Sequence, residues 1–199
     1  MKISKLTNSI LPMVAIAALA VPGLVFAQTK PADVITQENV HKVEATGIVN
    51  FSLMEDSTGY AGSRVGFGGA TQPSAMPWLK SEGFGTVINL RLASEDGATV
   101  KRSQAAATAI GIKYVHLPFD PKSPAPDIMD HFTSAVGEKS NQPVYIHCHS
   151  ATRAAALWMI SRVQKDGWAF DNAANETKLI AEKPDESISF ASAYLKEST

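Results

Sequence analysis

Apolar and polar positions divide the chain into three regimes. Residues 10–26 form a mostly apolar run, broken by Pro12 and Pro22 and preceded by Lys2 and Lys5. Residues 28–50 are polar and mixed, without a helical or strand period. From residue 51 onward, short apolar runs alternate with stretches of helical period. Val65 and Phe67 sit among Gly59, Gly62, Gly66, Gly68 and Gly69, which predicts a strand between tight turns. Residues 73–82 predict a short helix closed by Gly83, and residues 86–90 a compact buried strand. A helix over 98–109 with Gly111 beyond its end precedes a strand over 113–117. Residues 126–139 place Ile128, Met129, Phe132, Ala135 and Val136 on one helical face. A third strand follows over 144–147. The helix over 153–163 is apolar on nearly all sides, as a central buried helix is. Two further helices are expected near 171–182 and 185–196. Alternation of buried strands and helices predicts an α/β fold, with a central, largely parallel sheet flanked by helices.

The first regime is a separate object. A positive start, an apolar run and small residues ending in Val25-Phe26-Ala27 are the layout of a bacterial-type secretory signal, with cleavage after Ala27. The run is short for a span and carries two prolines, so no stable membrane span is expected after cleavage. The expected organisation is a signal peptide over 1–27, an N-terminal leader over 28–50 and one domain over 51–199, in a periplasmic or secreted protein.

Composition narrows the function. Of 199 residues, 45% are apolar and 19% charged, enough to build a core. Eighteen Lys and Arg against 19 Asp and Glu leave no basic excess for phosphate backbones, so no nucleic-acid partner is expected. One cysteine, Cys148, excludes an internal disulfide framework and any multi-cysteine zinc site. Gly66, Gly68 and Gly69 lack the spacing of a dinucleotide fingerprint, so they are read as turn residues and no cofactor is implied. His41, His116 and His131 have no metal-ligand spacing, and no metal is expected.

Cys148 is where the chemistry concentrates. A buried strand runs into His147-Cys148, four residues intervene, and Arg153 opens a helix. The strand end fixes the sulfur. Residues 149–152 can turn successive amides inward as an anion nest, and the helix N-terminus points its dipole at the same place. Arg153 adds a planar two-pronged donor suited to a tetrahedral oxyanion. Together these favour a thiolate and make Cys148 a candidate nucleophile. The bland alternative is an inert cysteine at a strand end with Arg153 in a surface pair.

The run Val144-Tyr145-Ile146-His147-Cys148, with Arg153 after it, resembles the phosphate-binding loop of the cysteine-dependent protein phosphatases. The stretch from Gly68-Gly69 through Gln72-Pro73 to Val87-Ile88-Asn89-Leu90-Arg91 is similar to the opening of their dual-specificity-type branch. More narrowly it resembles the bacterial phosphatases named after beta-lactamase hydrolase, over about residues 60–163. The resemblance implies the cysteine-phosphatase fold and a metal-free tyrosine or dual-specificity-type phosphatase acting on a phosphorylated substrate. It implies Cys148 as nucleophile and a substrate-binding loop of His147, His149, Ser150, Ala151, Thr152 and Arg153. Asp120, in Leu117-Pro118-Phe119-Asp120-Pro121, is implied as general acid; its other reading is an Asp-Pro turn residue. Arg91 and Glu95 resemble a scaffold salt bridge. Three departures stand out. Four residues separate Cys148 from Arg153 where the phosphatase loop has five. Ala151 stands where a loop glycine is expected, at a position that asks for positive φ. Ala154 replaces a hydroxyl residue, with Ser150 or Thr152 as substitutes. The four-residue spacing is also that of the rhodanese loop, which carries sulfur as a persulfide, so sulfur transfer through Cys148 stays open. So does a non-catalytic oxyanion-binding module.

Overall fold

The computed structural model describes residues 40–55, 59–62 and 64–198. The expected signal peptide over 1–27 and the start of the expected leader lie outside them. The strands β1 (Val40–Lys42), β2 (Ser52–Met54), β3 (Val65–Gly68), β4 (Thr86–Asn89), β5 (Lys113–His116) and β6 (Val144–His147) form one sheet in the order β1-β2-β3-β6-β4-β5. The four from β3 to β5 are parallel; β1 and β2 add an antiparallel edge. The largely parallel sheet expected from the sequence is therefore present. Its antiparallel edge begins earlier than residue 51. Val40–Lys42 pairs with Ser52–Met54, and Ile48 is buried, so the leader's last residues belong to the domain. Strands of three residues leave too little alternation to be read from the chain.

Helices α1 (Met76–Ser81), α2 (Val100–Ala109), α3 (Ile128–Gly137), α4 (Thr152–Gln164), α5 (Phe170–Ile180) and α6 (Pro184–Glu197) fall close to the expected stretches. Strand alternation sorts the core into two layers. Val65, Phe67, Ile88, Leu90, Val144 and Ile146 face α3, α4 and α5. Val87 and Tyr145 point to the opposite layer, with Met76 and Leu79 of α1 and Ala107 of α2. The crossover through α2 carries the chain outward from β4 to β5. The crossover through α3 brings it back to β6 on the other face. The sheet thus reverses its winding beside β6, the place where open α/β sheets bind ligands outside the carboxyl ends of their strands.

Two glycines expected to serve turns have another role. Gly68 lies inside β3, and a Cβ there would collide with the Tyr145 hydroxyl. A Cβ on Gly69 would stand 2.7 Å from the His149 carbonyl oxygen. These positions need glycine because β3 and the loop after β6 pass in close contact.

Candidate functional site

The carboxyl ends of β4, β5 and β6 bring residues 90–95, 117–122 and 148–153 to one edge of the sheet. A cavity of about 400 Å³ opens there. Its walls include Asp120, His149, Ser150, Thr152 and Arg153, all expected at the site, and Glu95, which was read as scaffold. His147, Cys148 and Ala151 are buried and do not line it.

Loop 148–152 is held from outside through its carbonyls. The His149 oxygen accepts from the Ala70 amide at 2.7 Å and the Ala151 oxygen from the Ala155 amide at 2.9 Å. The Ser150 oxygen accepts from Asn50 Nδ2 at 3.3 Å and from the Glu182 amide at 3.4 Å. The Thr152 oxygen accepts from Ser187 Oγ at 2.8 Å. With these carbonyls committed to neighbouring groups, an anion at the loop would be met by amides, the polarity an anion nest requires. Ala151 closes the turn at φ 64°, in the left-handed region that the missing glycine would occupy without cost. The Ser150 and Thr152 hydroxyls lie 3.0 Å apart beside it.

Arg153 is fixed by a partner far away in sequence. Its Nη1 and Nη2 donate to the two Glu95 oxygens at 2.6 and 2.9 Å, and Nη1 also reaches the Phe119 oxygen at 3.0 Å. Glu95 in turn accepts from Arg91 Nε at 3.1 Å and from the Leu92 amide at 2.8 Å. Partial burial opposes ionisation of Glu95. The Arg153 and Leu92 hydrogen bonds outweigh it and bring the carboxyl down to about 2. Burial opposes the charged form of the Arg153 guanidinium, but the hydrogen bonds to Glu95 and the negative charges of Glu95 and a Cys148 thiolate raise its pKa. Glu95 thus orients Arg153 in the cavity beside the loop that carries Cys148. The Arg91–Glu95 spacing of four was legible in the sequence; the Arg153–Glu95 contact, joining two strand-end loops, had no local signal.

His147 lies behind the loop. Its ring stacks on Tyr145 with centroids 5.7 Å apart, Nδ1 lies 3.4 Å from the Cys148 oxygen, and Nε2 is buried without a hydrogen-bond partner. Burial lowers its pKa to about 4, so it supports the loop as a neutral ring. Asp120 lines the cavity and accepts from the Lys122 amide at 3.0 Å, which makes it a turn residue as well as a wall residue. Of the other histidines, His116 Nε2 pairs with the Arg91 oxygen and His131 with Asp127 on the surface. Among the described residues, no group of three His, Cys, Asp or Glu is placed to hold a metal ion, and no helix is long and apolar enough to cross a membrane.

Comparisons with known proteins agree with this geometry. Residues 69–165 match the family described as beta-lactamase hydrolase-like protein, phosphatase-like domain. That span contains β4 to β6, the Cys148 loop and α4. No curated protein matches the chain. Among solved structures, a DUF442 protein from Shewanella putrefaciens CN-32 is 23% identical, with a TM-score of 0.54 over 74% of this chain and 94% of its own. The core catalytic domain of the PP-IP phosphatase SIW14 from S. cerevisiae is 14% identical, with a TM-score of 0.55 over 77% of this chain and 88% of its own. TpbA from P. aeruginosa, solved in complex with pTyr, is 15% identical, with a TM-score of 0.55 over 83% and 89%. The fold is that of the cysteine phosphatases. The matched segment resembles the beta-lactamase-hydrolase-like branch, as the residues around Cys148 and the Gln72–Arg91 stretch imply.

Proposed function

We propose that the protein is an exported, cysteine-dependent phosphatase of the tyrosine or dual-specificity type. It hydrolyses a phosphomonoester through a cysteinyl-phosphate at Cys148. The observation that carries this reading is the loop after Cys148, its carbonyls bonded to neighbouring elements, with Arg153 at its end oriented by Glu95 and lining the same cavity. Phosphoryl transfer asks the protein mainly for positioning and for donors around the equatorial oxygens, and this arrangement supplies both.

In the first step the Cys148 thiolate attacks phosphorus, an S–P bond forms and the P–O ester bond breaks. The leaving oxygen takes a proton from Asp120. In the second step water attacks phosphorus and gives a proton to the Asp120 carboxylate, the S–P bond breaks, inorganic phosphate leaves, and the thiolate and the protonated Asp120 are regenerated. Cys148 is buried beneath the loop it opens. Export rests on the layout of residues 1–27 and is checked by N-terminal mass spectrometry of protein from the native host. A start at Gln28 supports it; an intact Met1 on the exported protein overturns it.

The four-residue spacing from Cys148 to Arg153 favours a second reading, sulfur transfer through a Cys148 persulfide. A paired assay separates the two, using an aryl phosphate on one side and thiosulfate with cyanide on the other, each with Cys148→Ser as control. Cysteine-dependent hydrolysis supports the phosphatase, and cysteine-dependent thiocyanate overturns it. Protection of Cys148 from alkylation by vanadate without turnover marks a binding module. Asp120→Asn sharpens the result. A general acid contributes about 10²–10⁴-fold, so the loss is large for a phenyl ester and small for a nitrophenyl ester. Equal losses on both, with a lowered melting temperature, mark Asp120 as a turn residue only.

A further inference from the structure

Asn50 comes from the last residues of the leader and reaches the loop after Cys148. Its Nδ2 donates to the Ser150 oxygen and to the Ile180 oxygen, each at 3.3 Å. Its Oδ1 accepts from Lys42 Nζ at 2.8 Å, and the same ammonium donates to the Ile180 oxygen at 3.1 Å. One side-chain amide thus ties together β1, the Cys148 loop and the C-terminal end of α5. The Asn50 backbone stands at φ 51°. Asparagine is one of the few residues that visit this left-handed region readily. The other such residue besides glycine, among the described residues, is Ala151, next to the carbonyl that Asn50 holds.

The residue before Asn50 is anchored on its own account. The Val49 amide donates to the Ala70 oxygen at 3.0 Å, and the Val49 oxygen accepts from the Gly69 amide at 2.7 Å. Residues 69 and 70 touch the loop in turn, since the Ala70 amide donates to the His149 oxygen and Gly69 pairs with Ser150. The Asn50 side chain is therefore aimed from a backbone already fastened to the same place. Ser150 is the middle residue of loop 148–152. A peptide unit is planar, so holding the Ser150 oxygen also sets the Ala151 amide in that plane. The other donor to this oxygen, the Glu182 amide at 3.4 Å, lies in the α5–α6 connection that begins at Ile180. Without the Asn50 amide, the loop and that connection lose the donor they share.

We infer that Asn50 is a positioning residue for the Cys148 loop: its side-chain amide, steadied by Lys42, sets the Ser150–Ala151 peptide in the orientation that serves the transition state. This rests on the phosphatase reading above and adds to it a residue outside the 69–165 span of the family match.

The test compares the wild-type chain with Asn50→Gly, Asn50→Asp and Lys42→Met. Glycine keeps the positive φ without cost and removes only the amide. Aspartate keeps the size and the Lys42 contact but sets an acceptor against the Ser150 and Ile180 oxygens. Both are expected to lower kcat for an aryl phosphate about tenfold with KM within about twofold, and to raise the inhibition constant of vanadate, a transition-state analogue, in step. Lys42→Met is expected to give a smaller loss of the same kind, and none beyond that of Asn50→Gly when the two are combined, because it acts through the amide. Melting curves confirm that each variant folds, and where one Asn50 variant does not, the other carries the comparison. An unchanged kcat in a folded Asn50 variant, or a rise in KM alone, overturns the assignment and leaves the phosphatase standing. If the wild type hydrolyses no phosphomonoester, the phosphatase reading falls, and protection of Cys148 from alkylation by vanadate decides on Asn50. Protection weakened in Asn50→Gly upholds the positioning role; protection equal in both proteins, or absent from both, removes it.

Discussion

Arg153 and Arg162 stand at the two ends of α4, and each clasps a glutamate with two nitrogens. Arg162 donates to the Glu176 oxygens at 3.0 and 2.9 Å and to Asp166 at 2.8 Å. It lies 4.5 Å from the Trp158 ring centroid and 4.1 Å from that of Trp168. Arg153 clasps Glu95, but its other partner is the Phe119 oxygen and it lines the cavity. The decisive difference is exposure. The Arg162 and Glu176 side chains are 1% and 2% exposed, and those of Arg153 and Glu95 are 15% and 22%. A fully enclosed pair is a structural joint between α4 and α5, because every donor is used by protein. A pair at a strand-end cavity is an oriented charge with a side left for a ligand. The same ion-pair chemistry thus serves packing at one end of a helix and binding at the other.

Exchanging the two arginines for alanine gives the largest effects and splits them by observable. Arg153→Ala is expected to lower kcat/KM for an aryl phosphate by about 10³-fold, with little change in melting temperature, since one oxyanion donor is worth about 10²–10³ in rate. Arg162→Ala strands Glu176 in the core, and urea unfolding is expected to show a loss of about 3–5 kcal/mol. The folded fraction should keep its rate per molecule. A destabilised Arg153→Ala with normal turnover would reverse the assignment of the two ends.

Acid sharpens the contrast with a smaller effect. Glu95 is held at about 2, below its unfolded value near 4.5. Its stability contribution is present above about pH 4.5 and is lost as the pH falls toward 2. Burial raises Glu176 in spite of Arg162, so its contribution has the opposite sign, present at low pH and lost as the pH rises through the folded value. Glu95→Gln is expected to flatten the acid side of a melting-temperature profile between pH 4.5 and 2. The amplitude is on the order of 1 kcal/mol, reduced by solvent screening of a partly exposed carboxyl. A profile that Glu95→Gln leaves unchanged would show that Arg153 does not draw on Glu95 in solution.

The smallest effect probes the loop itself. Ala151 at φ 64° costs more than glycine would, although glycine loses more chain entropy on folding. Ala151→Gly is expected to stabilise the fold by roughly 0.5–1 kcal/mol in thermal unfolding. Destabilisation would mean that the buried methyl group contributes more through packing than the backbone strain removes.

Much of this molecule was legible before it was folded. β4 and β6 read as compact buried strands because parallel strands are covered on both faces. α4 read as buried because it is apolar all round. Cys148 and Arg153 could be named because strand, loop and helix are contiguous there, and the strain at Ala151 followed from the resemblance of that loop to the phosphatase loop. Local pattern carries such features, since each depends on residues within a few positions. β1 and β2 escaped because three-residue strands carry no period, and Gly68 and Gly69 passed for turn residues because the Tyr145 side chain and the His149 carbonyl they make room for come from β6 and its loop. Only the folded sheet joined Glu95 to Arg153 across 58 positions, bent α6 over the cavity and placed Phe190 against Phe119. These contacts lie between segments that meet solely because β6 inserts between β3 and β4. A one-dimensional pattern reports which faces must be buried, and the winding of the sheet decides which residues those faces bring together.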